Sequence, residues 1–172
     1  NISDENIIIT GNTVIDALLE TKERIDSDAD LRKELDKKFS FIERNKKIIL
    51  ITAHRRENFG QGFADICNAI LAISEREDVE IVYPVHLNPN VKDIVFEMLG
   101  NKSNINLIEP QEYLPFVYLL MSSYIILTDS GGIQEEAPSL GRPVLVLREN
   151  TERPEALEAG TVVLVGTNPK TI

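Results

Sequence analysis

The chain has 172 residues, 42% hydrophobic and 27% charged, with 28 acidic side chains against 18 basic ones, one cysteine and no tryptophan. A single domain of this length buries roughly 70% of the surface its unfolded chain exposes, so stability requires neither a disulfide nor a structural metal, and Cys67 alone could supply neither. The formal charge of -10 opposes broad capture of nucleic acid or anionic membrane. With no apolar run near the ~20 residues of a membrane helix and no basic-then-apolar leader, the reading is a cytoplasmic protein.

In chain order, Ile7 to Thr10 is the first short β-branched run and reads as a strand. Asn12 or Thr13 then caps a helix through Ile15, Leu18 and Leu19, and Asp28 or Asp30 caps a more charged one through Leu31 and Leu35. Lys47 to Ala53 is a second strand. Phe63, Ile66, Cys67, Ile70, Leu71 and Ile73 follow at spacings of three and four, which predicts a helix with one apolar stripe. Val79 to Val85 is a strand, and Val91, Ile94, Val95 and Met98 predict a helix that Gly100 stops. After the strand Ile105 to Ile108, Leu114, Val117, Tyr118 and Met121 make another helix, with Pro115 tolerable in its first turn. Tyr124 to Thr128, Pro143 to Leu147 and Val162 to Val165 complete the strands.

Strands alternating with helices predict an α/β fold, a Rossmann-like parallel sheet with helices on both faces. Runs such as Ile48-Ile49-Leu50-Ile51 fit strands buried on both sides. No linker, repeat or low-complexity tract divides the chain. It begins at Asn1 rather than Met and stops just after a strand-like run, which reads as a domain cut from something longer.

Ligands of an open parallel sheet bind beyond the carboxyl ends of its strands, so the residues that follow each apolar run carry the information. There lie His54-Arg55-Arg56, His86 before Asn88-Pro89, Gln111-Glu112-Tyr113, Asp129-Ser130-Gly131-Gly132 and Thr151-Glu152-Arg153. Ser130-Gly131-Gly132 lets backbone N–H groups approach a phosphate; alternatively the glycines only permit a sharp turn and Ser130 only caps the next helix. Glu136 can accept two hydrogen bonds from a ribose diol, or be a solvated helix glutamate. The His54-Arg55-Arg56 cluster can bind a diphosphate and protonate a departing phosphate oxygen; the plainer reading pairs Arg55 or Arg56 with Glu57. His86 equally suits a turn carbonyl, Arg153 an ion pair with Glu152 or Glu155, and Tyr113 and Phe116 core packing rather than base stacking. Paired cysteines, His-Glu-x-x-His, Gly-x-Ser-x-Gly, a phosphate-loop Gly-Lys-Ser/Thr and a complete Gly-x-Gly-x-x-Gly are all missing.

Taken together, Thr52-Ala53-His54-Arg55-Arg56-Glu57-Asn58, Pro84-Val85-His86-Leu87-Asn88-Pro89, Asp129 through Pro138 and Thr151-Glu152-Arg153-Pro154-Glu155 resemble the non-hydrolysing UDP-N-acetylglucosamine 2-epimerases. Thr10 through Asp16 resembles that family's interdomain crossing. The resemblance implies the C-terminal nucleotide-binding domain, residues 1–172, of a two-domain enzyme of the glycosyltransferase-B type, with its N-terminal domain missing. It implies interconversion of UDP-N-acetylglucosamine and UDP-N-acetylmannosamine by elimination and re-addition of UDP, with no cofactor and no metal, in a homodimer. By position it assigns Ser130, Gly131 and Gly132 to the diphosphate, Glu136 to the ribose, Gln111 and Phe116 to the uridine end, and Arg153 to another part of the nucleotide. His54 would assist departure of the diphosphate, and Arg55 and His86 would match contacts to an activating second substrate molecule. The family's acid and base carboxylates belong to the other domain, so this piece alone is expected to be inactive. The competing readings are the donor domain of a UDP-sugar glycosyltransferase and a stand-alone UDP-sensing module.

Overall fold

The computed structural model describes residues 2–172. Six strands, β1 (Lys47–Thr52), β2 (Val79–Pro84), β3 (Ile105–Ile108), β4 (Ile125–Thr128), β5 (Val144–Val146) and β6 (Val162–Leu164), form one sheet. Their order is β3-β2-β1-β4-β5-β6 and every neighbouring pair is parallel. The predicted Rossmann-like sheet is therefore present, and its order reverses between β1 and β4. At such a reversal the loops leaving the two strands turn to opposite faces and open a crevice between them.

Among the described residues seven α-helices cover the sheet: α1 (Thr13–Ser27), α2 (Ala29–Lys38), α3 (Gln61–Ser74), α4 (Pro89–Leu99), α5 (Tyr113–Ser122), α6 (Ile133–Ser139) and α7 (Pro154–Glu158). Alternate residues of β1 face opposite layers, as strand geometry requires. Ile48 and Leu50 pack with Leu18 and Ile25 of α1, Leu35 of α2, Val117 and Leu120 of α5 and Ala137 of α6. Ile49 and Ile51 pack with Phe63, Ile66 and Ile70 of α3 and Val91 and Val95 of α4. The unbroken apolar run in β1 is thus buried from both sides.

Of the alternative caps, Asn12 and Asp28 are the ones used. Asn12 accepts the Val14 N–H at 3.2 Å, and Asp28 accepts those of Asp30 and Leu31 at 3.0 and 2.9 Å. Gly100 ends α4. Predicted strand bounds agree within one residue at each end, with one exception. Ile7 to Thr10 is not a strand: it pairs with nothing in the sheet, and Ile7, Ile8 and Ile9 are 58%, 82% and 95% exposed. A β-branched run needs a neighbouring strand and a packed face, and here the sheet's edges are β3 and β6.

Among the described residues no helix is long and apolar enough to cross a membrane. Cys67 lies wholly inside the α3 layer, and burial pushes its thiol up to about 12. Because only the thiolate is nucleophilic, iodoacetamide at pH 8 is expected to leave Cys67 unmodified in the native domain and to label it stoichiometrically in denaturant, by mass spectrometry.

Candidate functional site

The crevice is built around the ends of β1 and β4, where Thr52 and Thr128 stand side by side. The Thr52 hydroxyl donates to that of Thr128 at 2.6 Å, the Thr128 hydroxyl donates to the Thr52 carbonyl at 3.2 Å, and it also accepts the Ser130 N–H at 3.0 Å. Beyond this lock lies Asp129, wholly buried. One of its oxygens, Oδ2, accepts the backbone N–H groups of His54 and Arg55 at 2.9 and 2.8 Å and the Asn58 side-chain amide at 3.2 Å. Asn58 also donates to the Leu147 carbonyl at 3.3 Å, which joins the end of β5 to the same knot. One buried carboxylate thus fixes the loop that carries His54 and Arg55.

His54 and His86 leave adjacent strands and stack, with ring centroids 5.3 Å apart and planes 12° from parallel. The His86 Nδ1 accepts the Asn88 N–H at 3.1 Å, so the turn supplies a donor to this ring rather than the carbonyl expected of a turn histidine. A neutral His86 then carries its proton on Nε2. The His54 Nδ1 lies 3.8 Å from the second oxygen of Asp129, which is buried and has no hydrogen-bond partner.

The Ser130-Gly131-Gly132 turn sits across the crevice from this pair. Neither glycine has a positive φ, and Gly132, at φ -64°, is the N-cap of α6 with no side-chain cap, so neither a strained turn nor a serine cap explains the tripeptide. What the glycines provide is space and free donors. Among the described residues the Gly131 and Gly132 N–H groups have no acceptor. A Cβ on Gly131 would meet the Arg55 guanidinium and the Glu152 carboxylate, each at 3.7 Å, and one on Gly132 would lie 4.0 Å from Glu136 Oε2 and from the Ser130 hydroxyl. Arg55 thus stands beside Gly131, and Glu136 beside Gly132.

Glu136 is 93% buried rather than solvated, since its relative exposure is 7%. Burial pushes its carboxyl above the ordinary range; the Tyr113 hydroxyl, donating to Oε1 at 3.1 Å, opposes this, and the neighbouring Glu135 charge adds to it. That contact ties the start of α5 to α6. In the loop before α5 the Gln111 amide donates to the Glu109 carbonyl at 2.7 Å and leaves its own Oε1 buried without a partner among the described residues. Phe116 is half-buried and packs on the α1–α5 core, as expected, whereas Tyr113 is not core as the sequence suggests but 43% exposed and reaches Glu136.

The arginines pair differently from the plain sequence expectations. Arg55 faces Glu152 at 3.7 Å rather than Glu57, because Glu57 is taken by Arg148 at 2.6 Å, and Arg148 also reaches Glu152 at 3.3 Å. Arg153 pairs with Glu135 rather than Glu152 or Glu155, and holds that carboxyl below its usual range. The second oxygen of Glu135 accepts from Asn12 at 2.6 Å, and the Thr151 hydroxyl donates to Gln134. Asp129 and Asn58 stand in the loops behind apolar strands that the sequence marks, though no role is legible for them there, and Arg148 joins the assembly without such a signal.

The family model for UDP-N-acetylglucosamine 2-epimerase matches residues 1–172. The chain belongs to this epimerase family. It is 58% identical over 173 residues to the UDP-N-acetylglucosamine 2-epimerase of Escherichia coli K12, spanning all of this chain and 46% of that relative. The chain thus spans about half the length of the curated relatives it matches. Among solved epimerases, that of Neisseria meningitidis bound to UDP-GlcNAc superposes with a TM-score of 0.92 at 54% identity, over 99% of this chain and 46% of that one. The Methanocaldococcus jannaschii epimerase in complex with UDP-GlcNAc and UDP gives 0.82 at 34% identity, over 99% of this chain and 47% of that one. The wall teichoic acid polymerase TagF shares the fold alone, at 18% identity and a TM-score of 0.52 over 85% of this chain. The architecture is that of one half of a glycosyltransferase-B type fold.

Proposed function

We propose that the chain is the C-terminal, UDP-binding half of a cytoplasmic, homodimeric, non-hydrolysing UDP-N-acetylglucosamine 2-epimerase, with UDP-N-acetylglucosamine and UDP-N-acetylmannosamine as its substrates. The observation that carries the reading is the placement of the Arg55 guanidinium beside Gly131 and of the buried Glu136 carboxylate beside Gly132, at a turn whose glycine N–H groups have no acceptor among the described residues. Its support from relatives is the UDP-GlcNAc and UDP named with two of the solved epimerases.

In this reading the Ser130–Gly132 turn and Arg55 neutralise a diphosphate locally, which the global charge would otherwise repel. Glu136 accepts from the ribose diol, the unpartnered Gln111 oxygen accepts from the uracil with Phe116 behind it, and Arg153 shifts from Glu135 towards the nucleotide. His54, held beside Asp129 and against His86, donates a proton to the departing diphosphate. Arg55 and His86 also face the position of an activating second substrate. UDP leaves, an unsaturated sugar remains, and UDP returns with the configuration at carbon 2 inverted. The proton at that carbon needs carboxylates from the N-terminal domain, so this half binds UDP but does not turn over.

The test is twofold. UDP added to the ¹⁵N-labelled chain is expected to shift the Ser130, Gly131 and Gly132 amides, while UDP-N-acetylglucosamine stays unconverted by NMR. The parent protein is expected to produce UDP-N-acetylmannosamine; transfer of the sugar to an acceptor with no epimer formed would instead make it a glycosyltransferase.

A further inference from the structure

The opposite rim of the sheet, where the strands begin, holds a second concave site whose charge is the reverse of the chain's. Ile48 of β1, Met121 near the end of α5 and Leu140 after α6 line a cavity of about 430 Å³. Its walls present four cations, Lys22 of α1, Arg32 of α2, Arg44 before β1 and Arg142 before β5, against one lining carboxylate, Asp26. In a chain of formal charge -10 this is a local reversal. An adjoining cavity of about 330 Å³ shares Arg44 and Arg142 and adds Lys46 and Lys47, facing Asp78. Lys46 is held by Glu43 at 3.1 Å with Glu80 at 3.7 Å, and Lys47 by Asp78 at 3.0 Å, so the uncommitted charge lies on the Arg142 side.

Arg142 is unfinished on this rim. Its Nη2 donates to the Met121 carbonyl at 2.5 Å, while its Nε is buried and has no partner among the described residues. A buried cationic N–H without an acceptor is unfavourable, and an anion in the cavity relieves it. Of the other three cations, Lys22 and Arg32 are committed only to exposed pairs, whereas Arg44 also donates to the buried Tyr118 hydroxyl. Lys22 and Arg32 share Asp26 at 2.7 and 3.2 Å, and Arg44 meets Asp36 at 2.7 Å, with side chains 40–47% exposed. Such pairs contribute about 0–1 kcal/mol and give way to a doubly charged ligand.

We propose that this cavity binds a small phosphate-bearing metabolite, its phosphate taken by Arg142 with Arg44 and Arg32 and its organic body resting on Ile48, Met121 and Tyr118. Three guanidiniums match the three oxygens and the double charge of a phosphate, which a lone carboxylate does not offer. The cavity falls within the ~300–1,000 Å³ of small-molecule sites, and the global charge turns away a nucleic acid. The site stands at the other end of the strands from His54 and Ser130, and the inference does not rest on the function proposed there.

The probe is inorganic pyrophosphate, titrated into the ¹⁵N-labelled chain at about 0.15 M salt while the arginine Nε–H resonances are followed. Pyrophosphate can also enter the crevice at the other rim, but the Arg142 Nε–H reports only on this one. The expected result is a saturable shift of that signal, with affinity about tenfold weaker in Arg32→Gln, an exposed helix change that leaves the fold intact. Arg142→Gln is expected to abolish the saturable shifts of the Arg32 and Arg44 signals. A linear drift that does not saturate, unchanged affinity in Arg32→Gln, or citrate binding as tightly as pyrophosphate would each overturn the proposal, the first of these leaving Arg142 as a partner of the Met121 carbonyl near the end of α5 only.

Discussion

Asp129→Ala is expected to destabilise the domain by about 3 kcal/mol, because three donors that now share one carboxylate oxygen lose that acceptor; each such loss costs about 1–3 kcal/mol. The Asp129 side chain is wholly buried, so little water reaches the gap. Asp129→Asn keeps an oxygen for the His54 and Arg55 N–H groups and is expected to cost about half as much. Urea denaturation followed by circular dichroism measures both, with the midpoint moving and the slope unchanged. Equal midpoints for Asp129→Ala and the unaltered chain would show that the loop is held by something else. Because the same bonds place His54 and Arg55 against the Ser130–Gly132 turn, both variants are also expected to weaken UDP binding.

Glu136→Gln is expected to move stability and binding in opposite directions. Burial raises the native Glu136 carboxyl above its unfolded value near 4.3, so the native state favours the protonated form. The sign follows directly: the raised group stabilises the fold fully below the unfolded pKa, and this is lost as pH rises through the folded pKa, leaving a cost at pH 7. Glutamine is neutral, still accepts from Tyr113, and removes that cost. The variant is therefore expected to melt higher than the unaltered chain at pH 7, with the difference closing as pH falls below about 4. If the buried carboxylate accepts from a ribose diol, the same change weakens UDP by about 10- to 100-fold, since hydrogen bonds to a charged group are worth about 1.5–3 kcal/mol. Calorimetric melting and titration read the two effects separately. Unchanged UDP affinity would remove Glu136 from the nucleotide site and leave the stability prediction standing.

Much of the crevice was legible because parallel strands put their carboxyl ends on one rim whatever their order. His54, His86 and Ser130 each follow an apolar run, and that alone brings them together. The Ile7–Thr10 error has the converse cause. Strand character in isolation is a side-chain preference, whereas a strand exists only with a neighbour to share its hydrogen bonds. Ion-pair choice was equally out of reach. Arg55 with Glu152 and Arg153 with Glu135 span 97 and 18 residues of sequence, and surface charges adjacent in the chain are poor guides to which carboxylate a fold brings within 4 Å.

The sequence by itself determined the α/β class, the six sheet strands and the helices α1 to α5, the two-sided core and the set of loops that bear chemistry, because these follow from periodicity and from the short range of capping and turn interactions. Only the tertiary structure decided that β1 and β4 are neighbours, that a single oxygen of Asp129 gathers three donors from the far side of the crevice, that Glu136 is buried, and that Arg142 is left with an unmet N–H at the opposite rim. Burial and long-range hydrogen bonding are properties of the packed whole: they depend on which distant segments exclude water from a group, and no local pattern in the chain encodes that.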